Sequence, residues 1–188
     1  MKIIVGITGA SALIYGVRLV EELNRENDPY VIVSKGAKAV AQMENDERFQ
    51  NWYDHTFDIF DNKHLGAPIA SGSFPTDGMV VAPCTISTLS DIVHSRNRNL
   101  ITRAADVCIK EGRKVVLMVR ETPLHKGHLK LMWQAADLGY VIMPPMPSFY
   151  NHPKTIEDLV DQTTGRILDQ FNIPHTLGRR WGNFKKED

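Results

Sequence analysis

The segment that most constrains this chain is Lys2-Ile3-Ile4-Val5-Gly6-Ile7-Thr8-Gly9-Ala10-Ser11-Ala12-Leu13-Ile14-Tyr15-Gly16-Val17. Ile3 to Ile7 is a short apolar, β-branched run, the pattern of a strand buried on both faces. Thr8-Gly9-Ala10-Ser11 supplies small residues for a tight turn, with Ser11 placed to cap the next element. Leu13, Gly16, Val17, Val20 and Leu23 then recur at helical spacing. A strand feeding a helix through such a turn directs backbone N–H groups and the positive end of a helix dipole at one point, where a phosphate can sit. The turn is not a full G-x-G-x-x-G fingerprint, so on spacing alone an α/β turn without a ligand is an equal alternative.

The same strand-then-helix rhythm repeats. Tyr30-Val31-Ile32-Val33 reads as a second strand, and Ser34 as the cap of a helix running to about Glu44. Residues 45–75 are less regular: Phe57-Asp58-Ile59-Phe60 alternates like a short strand, and Gly66-Ala67-Pro68 and Ser71-Gly72-Ser73 mark loops. Gly78 to Ala82 is a further buried strand that Pro83 is expected to break, and Cys84-Thr85-Ile86-Ser87 opens a second strand-to-helix turn. Leu100–Ile109 is expected as a helix, Lys114–Val119 as a strand delivering Arg120-Glu121, His128–Leu138 as a helix and Tyr140–Met143 as the last strand. Pro144-Pro145-Met146-Pro147 must be non-helical, and Thr155-Ile156-Glu157-Asp158 resembles a capping box for a helix to about Phe171. The tail from Pro174 has little periodicity and is read as an arm that docks on a neighbour. Strands alternating with helices through short turns give a parallel sheet covered on both faces. Ligands bind outside the carboxyl ends of such strands, where Ser11, Ser34, Cys84-Thr85 and Arg120-Glu121 fall.

Several functions are disfavoured. Lys+Arg and Asp+Glu are equal at 22 each, so charge gives no support for nucleic-acid binding. No apolar run approaches the ~20 residues a bilayer span needs, and Gly6 and Gly9 end the first apolar run too soon for a signal peptide. Two cysteines, Cys84 and Cys108, make no disulfide framework, and a cytoplasmic protein is the simplest reading. Cys84 invites a nucleophile reading, but a lone Cys after a buried strand is more often a small apolar residue. His125 and His128 lie i, i+3 with no carboxylate or Cys spaced to complete a metal set. Arg103, Lys110, Arg120 and Arg166 are candidate anion ligands, although Arg103 and Lys110 could simply pair with Asp106 and Glu111. Glu121 could donate a proton or partner a nearby Arg. Tyr15, Tyr150, Trp133 and Trp181 are expected to pack, although an aromatic in a Pro-rich loop could stack on a planar ligand.

Taken together, these stretches resemble the flavin prenyltransferases of the UbiX type, a family that includes small subunits of hydroxyarylic acid decarboxylase systems. The matching motifs are Thr8-Gly9-Ala10-Ser11, Ala70-Ser71-Gly72-Ser73, Pro83-Cys84, Arg103-Ala104-Ala105-Asp106-Val107, Ile109-Lys110-Glu111, Val119-Arg120-Glu121-Thr122-Pro123-Leu124, Phe149-Tyr150, Arg166-Ile167-Leu168 and Arg180-Trp181. The resemblance spans nearly the whole chain in order. It implies a three-layer α/β/α, Rossmann-like (flavodoxin-like) flavoprotein with a mostly parallel sheet. Residues 1–173 would form one flavin-binding domain and 174–188 the arm.

The resemblance further implies an enzyme that takes reduced FMN and dimethylallyl monophosphate, needs no metal, and builds a fourth ring onto the isoalloxazine. The prenylated FMN would serve a partner aromatic-acid decarboxylase, and the enzyme itself would be a homo-oligomer, a closed dodecamer. Gly9, Ala10, Ser11, Ser34, Thr85, Ser87, Arg103 and Arg120 would contact the flavin, with Ser11 also relaying a proton. Glu44, Lys110, Arg120, Tyr150, Arg166 and Trp181 would surround the dimethylallyl phosphate. Ser11, Glu44 and Glu121 would be the catalytic set, with Glu121 in proton transfer. Three places depart from the family pattern: Ala12 stands where Gly is usual, Thr85 where Ser is usual, and His128-Leu129-Lys130-Leu131 replaces His-Leu-Glu-Asn. Ala12 is unstrained only if its φ is negative. A non-catalytic FMN-carrying subunit and a related flavoprotein decarboxylase, acting on peptidyl or pantothenoyl cysteine, are the competing readings.

Overall fold

The computed structural model describes residues 1–56 and 58–182. Two compact units are distinguished, Met1–Pro144 and Pro145–Asp188. In the first, six strands form one sheet: β1 (Lys2–Ile7), β2 (Asp28–Val33), β3 (Ile59–Asp61), β4 (Gly78–Cys84), β5 (Lys114–Val119) and β6 (Val141–Ile142), in the order β3-β2-β1-β4-β5-β6. Every pairing is parallel. The chain starts in the middle, winds outward to β3, then returns to the other side of β1. That reversal, the switch point of the Rossmann order, lies between β1 and β4. The register Val5↔Val31 and Val5↔Val80 makes β1 a central strand, and Ile3–Ile7 are at most 1% exposed where they are apolar.

Alternation of side chains divides the core between two faces. Ile4, Ile32, Met79, Val81 and Leu117 join a cluster closed by α4 (Ile86–Val93), α5 (Leu100–Lys110) and α6 (Lys126–Asp137). Ile3, Val5 and Ile7 turn to the other face. There α1 (Ile14–Leu23) packs on β1, β2 and β4 through Gly16, Val17, Val20 and their neighbours. Outside it run α2 (Lys35–Met43) and α3 (Glu47–His55). The second unit carries α7 (Ile156–Gln170), opened by the expected capping box: Thr155 accepts from Asp158 N–H while the Asp158 carboxylate accepts from Thr155 N–H.

Several boundaries differ from the sequence reading, each for a local reason. Ser11 does not cap α1. The helix begins at Ile14, with Leu13 at its N-cap and no side-chain cap. Pro83 does not end β4, which continues to Cys84. Proline has no N–H to give the ladder, so the β4–β5 register breaks between Val81 and Cys84 instead. In consequence α4 starts at Ile86 with Thr85, not Cys84, as its boundary residue. The irregular stretch after Glu44 holds α3, where Asp46 accepts from Phe49 N–H at 2.9 Å and Phe49 is 2% exposed. The short strand read there runs Ile59–Asp61, with Phe57 outside the described residues. α6 begins at Lys126, ahead of His128, because His125 Nδ1 accepts the Gly127 N–H. The last strand shrinks to Val141–Ile142.

Candidate active site

At the carboxyl edge of the sheet, Thr8 closes the switch point. Its hydroxyl donates to Pro83 O at 2.8 Å and accepts from Thr85 N–H at 2.9 Å, tying the end of β1 to the start of α4. The next turn is packed backbone to backbone. A Cβ on Gly9 would lie 2.6–2.8 Å from the Gly36 backbone, so no side chain fits between the turn after β1 and the first turn of α2. Ala12 does adopt the left-handed region, with φ of 67°. For an alanine this costs roughly 1–2 kcal/mol, strain that a glycine here would avoid.

Ser34 Oγ accepts from Ala37 N–H at 3.1 Å, which leaves its own proton to donate outward. It opens on a cavity of about 520 Å³ shared with Lys35, Lys38, Tyr53, Lys63 and Asn99. Thr85 Oγ1 accepts from Thr88 N–H at 3.1 Å and donates to Thr88 Oγ1 at 2.9 Å. The first N–H groups of α4, including that of exposed Ser87, then have no intrahelical partner and form a positive end suited to an anion. Gly9, Ala10, Ser11, Ser34, Thr85 and Ser87 therefore share one edge. A larger cavity of about 820 Å³ beside Tyr30, Phe60 and His64 contains none of the expected site residues.

Arg120 reaches the same edge, its N–H donating to Cys84 O at 3.1 Å. Its side chain and that of Glu121 are exposed. Glu121 accepts from Thr122 N–H at 3.0 Å and makes no ion pair among the described residues. The Cys84 thiol is pushed up to about 12 by burial, which outweighs a backbone hydrogen bond from Leu89. It is therefore a neutral, packed thiol, and the nucleophile reading has no support. Trp133, expected to pack, is 65% exposed on α6 beside the similarly exposed Leu129 at i−4.

On α5, Arg103 and Lys110 are seven residues apart and share a face. Arg103 Nε donates to Ala70 O at 3.1 Å, and its guanidinium lies 3.5 Å from Asp106; Lys110 pairs with Glu111. The ion-pair alternatives read from sequence are thus present. Arg113, which sequence reasoning passed over, straps the other end of the small-residue loop by donating to Gly72 O, Phe74 O and Thr76 Oγ1. Position along the helices separates the expected site residues. α5 starts beside the end of β3, where Leu100 N–H donates to Asn62 O, and ends just before β5, so Lys110 lies about 15 Å along the helix toward the opposite edge. Glu44 closes α2 about 15 Å along that helix from its cap, Ser34. Within this unit they do not join Ser11, Ser34 and Arg120.

The second unit brings its three expected residues together. Tyr150, Arg166 and Trp181 line one cavity of about 590 Å³. Tyr150 and Trp181 meet edge to face, with centroids 5.3 Å apart, and Gln162 Nε2 donates to Tyr150 Oη at 2.6 Å. Arg166 donates to Asp169 Oδ2 at 2.5 Å, while Arg180 at 2.6 Å and His175 Nε2 at 3.2 Å converge on Oδ1. His175 Nδ1 accepts the Leu177 N–H, which assigns the ring proton to Nε2. Burial pulls the Asp169 carboxyl upward, but the bonds from Arg180, His175 and Arg166 prevail and hold it below the usual carboxylate range. Guanidinium groups beside an aromatic pair make a pocket for an anion with an apolar tail. Gln162, Asp169 and His175 were not foreseen. For Gln162 and Asp169 the one sequence signal is the i, i+4, i+7 spacing of Gln162, Arg166 and Asp169 on α7, and His175 carries none.

Among the described residues no group of three or more His, Cys, Asp or Glu could hold a metal, and no helix is long and apolar enough to cross a membrane. The profile of the Flavoprotein family matches residues 1–168. The flavin prenyltransferase UbiX of Escherichia coli (strain K12) is 50% identical over 96% of this chain and 97% of its own. Among solved structures, AnUbiX (PadA1) in complex with FMN and dimethylallyl pyrophosphate superposes with a TM-score of 0.92 at 38% identity, covering 98% of both chains. A dodecameric FMN-dependent Ubix-like decarboxylase from Escherichia coli O157:H7 gives 0.91 at 40% identity, covering 97% of this chain and 100% of that one. Matches of this extent and identity place the chain within a family: it belongs to the Flavoprotein family, among the flavin prenyltransferases of the UbiX type.

Proposed function

We propose that this chain transfers a dimethylallyl group from dimethylallyl monophosphate to reduced FMN and closes a fourth ring on the isoalloxazine. The observation that carries this reading is the pocket of the second unit, where Arg166 and Arg180 stand beside the Tyr150–Trp181 pair. In the transfer the allylic C–O bond breaks and its electron pair leaves with phosphate. Arg166 and Arg180 take up the charge growing on that phosphate, and the aromatic faces stabilise the allylic cation. The enclosure must also keep water from the cation. Gly9, Ala10, Ser11, Ser34, Thr85, Ser87, Arg103 and Arg120 hold the flavin. Ser11 relays a proton, and Glu121, exposed and outside any described ion pair, serves the proton transfers. FMN is here a substrate, and its product leaves for an aromatic-acid decarboxylase.

The chain acts as a homo-oligomer. Glu44 and Lys110 stand at the far ends of helices α2 and α5, a helix length from Ser34 and Leu100, so they complete a site through a second copy, in keeping with the dodecameric relative. Residues 174–182 return onto α7 of the same chain, the remainder of the arm read at 174–188 lies outside the described residues, and the protein works in the cytoplasm. The competing cysteine-decarboxylase and carrier readings give the arginine–aromatic pocket no task. An anaerobic assay of inorganic phosphate tests the proposal. Phosphate should appear from dimethylallyl monophosphate only when reduced FMN is present, and a chelator should leave the rate unchanged. Release that is independent of flavin would contradict the transfer.

A further inference from the structure

The carboxylate of Asp169 takes no direct part in the transfer, yet three cationic or ring N–H donors of the prenyl-phosphate pocket meet on it. Its Oδ2 accepts from Arg166 and its Oδ1 from both Arg180 and His175. The Asp169 side chain is 15% exposed and that of His175 5%, whereas Arg166 and Arg180 are 53% and 61% exposed. The two guanidinium groups thus reach toward the cavity from a buried anchor. His175 extends that anchor into the chain that comes after it. Through Nδ1 it fixes the Leu177 N–H, and it lies against Gly165, where a Cβ would fall 2.7 Å from its ring and 2.9 Å from Leu177 O. The segment so held leads directly to Arg180 and Trp181, and Trp181 lies edge to face with Tyr150.

We propose, resting on the prenyl transfer as this chain's function, that Asp169 is the positioning residue of the prenyl-phosphate subsite. It holds Arg166 and Arg180 convergent on one phosphate and, through His175, seats the segment that carries Trp181. A carboxylate in this place has two opposed effects on an incoming phosphate. As a bare negative charge it repels the anion, so its removal would tighten binding. As the anchor of two guanidinium groups it keeps their N–H forks aimed, so its removal lets both swing away and weakens binding. The double use of Oδ1 and the burial of His175 favour the second effect, because neither guanidinium has another described carboxylate to fix it.

The sign of one substitution decides between them. In the intact oligomer, Asp169→Asn keeps the shape and removes the charge. It is expected to raise the Kd for dimethylallyl monophosphate, titrated calorimetrically, by about 10- to 100-fold, with FMN affinity unchanged. Asp169→Glu, which keeps the charge on a longer stem, should fall between wild type and Asn. Tighter or unchanged phosphate binding in Asp169→Asn would overturn the assignment. So would a parallel loss of FMN affinity, or a failure to fold in both variants, which would make Asp169 a general scaffold residue. If wild type itself does not bind dimethylallyl monophosphate, the proposed function fails, a result distinct from wild type binding it and Asp169→Asn binding it equally.

Discussion

Arg166→Ala raises the KM for dimethylallyl monophosphate by about 10- to 100-fold and leaves FMN affinity within about twofold. The guanidinium is one of two that share Asp169, and its removal leaves a low-lying, ionised carboxylate facing the site with one partner fewer. A phosphate then loses a charge-assisted bond and gains a partly unneutralised neighbour, so both changes act in the same direction. Arg166 is anchored within the second unit, on Asp169. Arg103→Ala should show the converse, because Arg103 both belongs to the expected flavin set and anchors Ala70 O in the small-residue loop. Paired steady-state and flavin-fluorescence titrations of the two variants test the division. Equal loss of FMN in both would contradict it.

Gly16→Ala destabilises the protein by about 2 kcal/mol, the opposite sign to what helix propensity alone gives. Alanine in place of glycine inside a helix is ordinarily worth about 1 kcal/mol in its favour. Here the new Cβ would press on the Ala82 carbonyl oxygen and lie 3.0 Å from Ile7 side-chain atoms, all of them fully packed. Backbone oxygen cannot rotate away, so α1 must lift from the β1–β4 switch point, and overpacking of this kind costs about 1–3 kcal/mol or more. Because the same switch point is tied by Thr8 to Thr85, the flavin edge should open too, with weaker FMN binding. Thermal unfolding should move down by several degrees, at about 2–4 °C per kcal/mol for a chain of this size. An unchanged or raised midpoint would show that the contact relaxes freely.

Local interactions were legible in the sequence, and those that depend on distant chain crossings were not. Ile3–Ile7 announced a central strand because burial on both faces leaves no alternation, and Ser34 and Thr155 announced helix starts because a cap bonds three residues ahead. α3 was not legible: its nine residues are dominated by aromatic and charged side chains, and Asp46 was hidden in a polar run. Ala12 could be read only conditionally, since its strain depends on a φ that no neighbour dictates. The family motifs brought in Tyr150, Arg166 and Trp181, which one cavity does unite. Asp169, Gln162 and His175 stayed invisible because their roles arise where the tail returns onto α7. Nor could spacing show that Lys110 stands away from the carboxyl edge, because that depends on the direction in which α5 crosses the sheet.

The central claim is that FMN is consumed as a substrate, and the mass of the flavin after reaction tests it most directly. Purified protein, reduced FMN and dimethylallyl monophosphate are mixed anaerobically, and the flavin is released and weighed by mass spectrometry. The account predicts a flavin heavier by one five-carbon unit, absent when either substrate is left out and able, once free of the protein, to activate an apo-decarboxylase of the aromatic-acid type. An unmodified flavin, with the decarboxylase activated only while this protein is present, would contradict it.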